Sequence, residues 1–317
     1  MRCWGVRLIR LEFDLALVEA AVEAVISDHP SRSEFYEERE RCYGDQSAEQ
    51  RTLDFDALFR NWFARLGLDE SLRRVLDAYP LVRDEVARLG VTRAVGPRDE
   101  GAELYVAPQR EGQAERLHRH LCLKLRPGIF LEPCRLDAVL YREFEHTNDM
   151  LDPAFGYEPE LPAASAGPTH DRMLLDRYAA LWSTTVSGRL VRRGCAPEGE
   201  RARAFERFVA TFSMLGNDTE RAFERLFDGP RPTHRDLVTL AIDPRRGRHS
   251  GDGPDPGSRC ALCDLPSHAF EPAQGLENAT VEALRADFPR WQPTEPICPQ
   301  CAELYRSRSR QFARSPG

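Results

Sequence analysis

Lysine is almost absent from this chain: Lys124 is the single lysine among 44 basic residues, and the others are arginine. We read that bias as codon usage in a GC-rich genome, with most guanidiniums solvated or paired on helix faces, and not as a phosphate-binding code. Acidic residues number 51 and the net charge is -7, which argues against a general nucleic-acid binder, above all for the N-terminal part. No stretch approaches the ~18 uninterrupted apolar residues of a membrane-spanning helix, so no membrane partner is expected. The first residues, M-R-C-W-G-V-R-L-I-R-L-E-F-D, lack the uncharged apolar core and small-residue cleavage site of a secretory leader. There is no G-x-x-x-x-G-K-[ST], no G-x-G-x-x-G and no G-x-S-x-G, which removes the phosphate-loop, dinucleotide and nucleophile-elbow classes. Internal repeats and long low-complexity tracts are also missing. Of the nine cysteines, Cys3, Cys42, Cys122, Cys134 and Cys195 stand singly. An odd total without a paired framework fits a reducing compartment, and a cytoplasmic location is expected, with these five as small buried apolar groups.

What is present is a globular composition, 41% hydrophobic and 30% charged over 317 residues, enough for one large domain and a small one. Apolar spacing predicts a helix over 12–27, then shorter helices near 54–66, 69–78 and 81–89. Short apolar runs at 91–95, 102–106 and 120–125 read as strands. A strong helix is expected over 134–151, a Pro/Gly/Ala-rich loop over 152–168, and helices over 170–192 and 197–215. Another helix should start at Asn217 with Glu220 as its capping-box partner, and a last short one after Thr233. Residues 243–259 are rich in Gly, Pro and charge and mark the clearest boundary. The division is therefore a mainly helical domain over 1–242, a flexible linker over 243–259 and a small domain over 260–317 with a basic end.

The small domain carries the sharpest signal, Cys260 and Cys263 in C-A-L-C and Cys298 and Cys301 in C-P-Q-C. Two C-x-x-C pairs supply the thiolates of a tetrahedral structural zinc site, with His268 as an alternative ligand to one cysteine. A closed four-cysteine site has no open position at which to activate water, so this zinc supplies folding energy. The 34-residue insert carries its own helix signal from Asn278 or Thr280, and the second pair leads into A-E-L-Y-R-S-R-S-R-Q-F, another helix. A zinc knuckle, a middle section and a C-x-x-C opening a helix resemble the treble-clef zinc fold.

In the helix over 134–151, Leu136, Val139, Leu140, Phe144, Thr147, Met150 and Leu151 share one broad face at about 100° per residue. Glu143 falls near its middle, with His146 at its edge and Arg142 and Asp149 just beyond. A carboxylate on an apolar face needs a partner, either an arginine from a neighbouring helix or a metal-bound water. The run Arg142-Glu143-Phe144-Glu145-His146 resembles the H-E-x-x-H motif of the zincin metallopeptidases, with arginine at the first histidine. The resemblance implies Glu143 as the general base, His146 as a zinc ligand and Asp149 near a third-ligand role, with a peptide substrate. It implies a zincin-like fold as well, giving an α+β, mainly helical class with a few short strands. Arg142 has no lone pair to offer a metal, so the expectation is a metalloprotease-related but catalytically impaired protein, a pseudoenzyme in which Arg142 replaces the metal's charge. His118 and His120, alternating on a strand, and His170 are the other histidines available to a second zinc site. The alternative reading is a non-enzymatic interaction protein whose zinc module binds a protein or nucleic-acid partner, helped by the basic run from Arg306 to Arg314.

Overall fold

A computed structural model of the chain describes residues 9–44, 47–111, 114–162, 167–247, 257–267, 270–271, 275–295 and 297–312. Two compact units divide between Arg245 and Arg246. The chain is mostly helical, with one four-stranded sheet among the described residues, in the first unit. Its strands are β1 (Arg10–Phe13), β2 (Arg88–Arg93), β3 (Gly101–Glu111) and β4 (Ala114–Leu125), in the order β1-β2-β4-β3. β1 and β4 run parallel to β2, and β3 returns antiparallel to β4.

The period of two in these strands separates two faces. Leu11, Leu89, Leu121 and Leu104 form one row across the sheet, and Phe13, Val91, Leu123 and Ala102 the next. Both rows join the first hydrophobic core. The rows between them, Arg10-Arg88-His120-Tyr105 and Glu12-Gly90-Cys122-Glu103, carry the polar face.

Helices α1 (Leu15–Ile26), α2 (Arg32–Arg41), α3 (Ala48–Arg65), α4 (Glu70–Asp77) and α5 (Pro80–Glu85) connect β1 to β2. α6 (Pro133–Leu151) follows β4 and closes the first core with Leu136, Leu140, Phe144 and Leu151. α7 (Pro168–Arg192), α8 (Glu200–Phe212), α9 (Thr219–Phe227) and α10 (His234–Ile242) build a second core around Tyr178, Trp182, Phe208, Phe212 and Phe227. Tyr141 of α6 packs against both cores. A Cβ at Gly188 would lie 1.9 Å from the Phe227 carbonyl oxygen, so glycine alone allows α7 to approach the end of α9 this closely.

Several elements depart from the expectations. β1 is only four residues long, two of them charged, and its pattern is too short to register. α2 buries only Phe35 and has no apolar stripe; it is held by pairs from Glu34 and Glu38 to Arg65 and by Glu38 accepting the Trp62 indole N–H. The helix expected over 81–89 ends at Glu85, and β2 begins at Arg88. The expected capping box at Asn217 does not form. That segment is a 3-10 turn broken at Gly216, while a capping box forms at Thr233 and Asp236.

In the second unit, antiparallel bridges join Arg259 to Pro266 and Glu271 to Ile297. Helices α11 (Asn278–Asp287) and α12 (Pro299–Phe312) pack through Leu284, Ala302 and Tyr305 onto Leu276, Trp291, Ile297, Cys260 and Cys298. Of the expected linker, residues 244–247 form a short 3-10 turn and 248–256 lie outside the described residues, as does His268.

Candidate metal centre and a helix-walled cavity

The turn between the bridged residues Arg259 and Pro266 carries the first cysteine pair. Cys260 donates its N–H to the Leu265 carbonyl, and its own carbonyl accepts from Asp264, whose φ of 56° is the left-handed conformation that aspartate tolerates. The second pair sits where α12 begins: the Cys298 carbonyl accepts the Ala302 N–H, and Cys301 lies in the first turn. The two segments bring Cys260 Sγ to 3.9 Å from Cys301 Sγ and Cys263 Sγ to 3.9 Å from Cys298 Sγ, and all four sulfurs lie within 4.8 Å of one another. A tetrahedral ion with Zn–S bonds of about 2.3 Å requires sulfurs about 3.8 Å apart, so the set fits.

The electrostatics agree. Burial alone would raise the Cys260 thiol, but backbone N–H groups of Cys298, Cys263 and Leu262 aimed at its sulfur bring it down to about 7. Burial and the neighbouring sulfurs push Cys298 and Cys301 up. Four thiols at this spacing cannot all ionise without a cation among them. The cluster can hold one structural zinc ion and leaves no coordination position open.

On α6, Glu143 and His146 are neighbours one turn apart, while Asp149 meets a separate set of partners. The Glu143 carboxylate is largely buried; one oxygen accepts the Ala102 N–H of edge strand β3 at 3.0 Å and the other lies 2.9 Å from the Arg142 guanidinium. His146 stands edge-on to Trp182 with ring centroids 4.6 Å apart. Asp149 is fully buried and already taken: Arg189 binds both of its oxygens, the Trp182 indole donates at 2.8 Å, and Arg231 approaches at 3.4 Å. No group of three or more His, Cys, Asp or Glu side chains other than the four cysteines converges on one point among the described residues. The third-ligand role expected of Asp149 therefore has no geometric support, since two guanidiniums occupy the space a metal would need.

His118 and His120 share the polar face of the sheet, ring centroids 5.9 Å apart, and no third ligand joins them among the described residues. His118 Nε2 and His170 Nδ1 are buried without a hydrogen-bond partner among the described residues.

The buried acids of α6 that meet arginines of a neighbouring helix are Glu145 and Asp149, whereas the arginine beside Glu143 is its own neighbour Arg142; Glu145 is the one that sequence reasoning missed. It accepts from Tyr79 at 2.8 Å and from Arg193 at 2.6 Å, with Arg189 at 3.4 Å. Glu145 and Asp149, four apart on α6, meet Arg189 and Arg193, four apart on α7. This i,i+4 match between two helices is visible in the sequence once the helices are paired, and single-helix reading misses it.

Arg142, Glu143 and His146 line one side of a cavity of about 510 Å³ between α6, α7 and α8. Small residues of α7 (Ala179, Ala180, Ser183) and Ala204 of α8 leave the space, and Glu200 and Arg207 of α8 also line it. Burial lowers the His146 pKa to about 4, from an ordinary 6.5, with nearby Arg142 and Arg189 acting in the same direction against Asp149. A histidine depressed in the folded state costs nothing above its unfolded pKa. Its penalty grows as pH falls from 6.5 towards 4, because the unfolded chain takes the proton first. At about 1.4 kcal/mol per unit, up to about 3 kcal/mol of stability is lost across that window. In His146→Gln this part of the acid dependence should vanish, read as a flatter stability-against-pH curve in urea titrations. Parallel curves for the two proteins would refute it.

No helix among the described residues is long and apolar enough to cross a membrane. Comparison of the chain with protein-family models, with curated proteins and with solved structures gives no match.

Proposed function

We propose that this is a non-catalytic binding protein. Its C-terminal unit is a treble-clef-like module stapled by one zinc ion, and its N-terminal unit carries a cavity descended from a zincin-like cleft. The observation that supports this most is the Arg142 guanidinium on the Glu143 carboxylate, in the same cavity as His146. A fixed cation stands beside the acid that would otherwise serve a metal-bound water, and it cannot be displaced by deprotonation. The treble-clef reading is supported by the order of parts: a bridged cysteine turn, a middle section, then a cysteine pair opening α12. The basic run contributes less to partner binding than its charge suggests, because Arg306 pairs with Glu271 and Arg308 with Asp287 inside the module. The side chains beyond Arg308 lie outside the described residues.

Elemental analysis of the purified full chain tests the proposal. One zinc per chain is expected, lost when Cys260 and Cys301 are both replaced by serine. A second zinc that survives this double replacement and disappears in His146→Gln would overturn the non-catalytic reading.

A further inference from the structure

The cavity between α6, α7 and α8 is lined by two ion pairs, one on α6 and one on α8. On α6, Arg142 holds one oxygen of Glu143. On α8, Arg207 donates to Glu200 at 2.6 Å, and the same Glu200 oxygen accepts the Ser187 hydroxyl at 2.9 Å. Both carboxylates are sunk, at 13% and 14% side-chain exposure, while both guanidiniums stand out at the mouth, at 47% and 56%. Neither pair is saturated. Arg207 spends one terminal nitrogen on Glu200 and Arg142 points two of its nitrogens at a single oxygen, so each fork keeps further donors. Each carboxylate has one oxygen with a single partner, the Ala102 N–H at Glu143 and Arg203 at Glu200, and so can accept one further hydrogen bond there. The imidazole of His146 makes no hydrogen bond with the described residues and adds an uncharged donor and acceptor to the wall.

The charge balance restricts what fits. Among the residues that line the cavity, two arginines, two glutamates and a neutral histidine sum to zero, while Arg203, outside the lining, holds the second oxygen of Glu200. A phosphate or other pure anion would gain the guanidiniums but meet two carboxylates, and a pure cation would face the reverse. A compact molecule with an anionic and a cationic end satisfies both sets at once. It would place its anion towards the guanidiniums of the mouth and its ammonium towards the carboxylates beneath. The volume suits a ligand of a few to about a dozen heavy atoms together with water, and the small residues of α7 leave room for a short side chain.

We propose that this cavity binds a small zwitterion of the free α-amino-acid class. The inference rests on the binding-protein reading above and deepens it. The test is a saturation-transfer NMR screen of the full zinc-loaded chain against the common free amino acids, followed by titration of each hit. At least one free amino acid should bind. Its N-acetyl and its carboxamide derivatives should each bind about tenfold more weakly or worse, since each removes one charge-assisted contact. Arg207→Gln should weaken the free amino acid without changing the affinity of its carboxamide. Ser183→Leu, which fills the space, should abolish binding while leaving the far-ultraviolet circular dichroism unchanged. A second variant, Ala179→Met, serves the same purpose should Ser183→Leu misfold. If no amino acid binds, or the blocked derivatives bind as well as the free compound, or binding survives both filled cavities, the proposal is wrong. These outcomes are independent of the zinc count: one zinc with no amino-acid binding defeats this inference alone, whereas a second zinc in the cavity defeats the reading beneath it.

Discussion

Replacing Cys260 by serine should release the zinc and unfold the C-terminal unit while the N-terminal unit remains intact. Eight buried residues make up the small core among the described residues, and two of them, Cys260 and Cys298, belong to the four-cysteine cluster that can hold the zinc. Without the metal, Leu276, Leu284, Trp291, Ile297, Ala302 and Tyr305 are too few to offset the ordering entropy of the segment. Structural zinc contributes about 10–16 kcal/mol of apparent binding free energy near neutral pH, far more than so small a core supplies. Cys260 is the most damaging position because its sulfur is the one that the Leu262 and Cys298 N–H groups approach, at 3.5 and 3.3 Å. Its loss removes a ligand and also frees the contact that ties the first cysteine turn to the start of α12. The expected result is zinc-free protein cut rapidly by protease within 257–312, with 9–242 as protected as in the wild type, and chelation of the wild-type chain should reproduce it. A Cys260→Ser chain that retains one zinc and resists proteolysis in that region would show that the four sulfurs are not the staple.

Legibility in the sequence followed the range of the physical cause. The four cysteines were readable because ligand chemistry fixes both residue type and spacing, whatever the surrounding fold. α1 and α6 were readable because each repeats apolar residues at helical period over three or more turns. α2 was not, because it is held by ion pairs to Arg65 on another helix, and no local pattern encodes that. The same distinction separates Glu143 from Glu145. The wheel of α6 placed Glu143 on the apolar face, where an acid demands a partner, and it does have two: the Ala102 N–H and its own neighbour Arg142. The wheel gave Glu145 no special weight, yet it is the acid buried against Tyr79 and Arg193, because the face away from the sheet packs on α7. A helix between two cores has two buried faces, and single-helix periodicity reports the more apolar one. The cavity was illegible for a related reason. Its walls are small and polar residues on three helices, a pattern that reads as solvent-facing until those helices are brought together.

The largest loss within the N-terminal unit is expected at Asp149. Its carboxylate has no exposure and is shared by Arg189, Arg231 and the Trp182 indole, which come from α7 and from the segment preceding α10. Arg189 itself is only 12% exposed. Asp149→Leu would leave that guanidinium buried with Glu145 as its remaining acid, already engaged by Arg193, and would strand the indole N–H. Removing one partner of a buried pair costs about 3–5 kcal/mol, and an orphaned buried donor about 1–3 kcal/mol more. Set against the 5–15 kcal/mol total stability of ordinary domains, that loss leaves the unit near its unfolding threshold. The compensated variant Asp149→Leu with Arg189→Met separates the two contributions. If the cost lies in the uncompensated charge, the double variant should recover about half or more of the loss, because well-packed apolar residues replace a buried pair at little net expense. Urea denaturation of the full chain, followed by far-ultraviolet circular dichroism, measures both. Equal losses in single and double variants would mean that packing, not charge, is what Asp149 supplies. A single variant within about 1 kcal/mol of wild type would show that the network adds nothing beyond a solvated surface pair. Trp182 connects this result to the cavity. The indole that Asp149 fixes is the one against which His146 stands, and Asp149 is the acid that opposes the lowering of the His146 pKa, so an Asp149→Leu chain that still folds should hold His146 at least as far below its ordinary value as the wild type does.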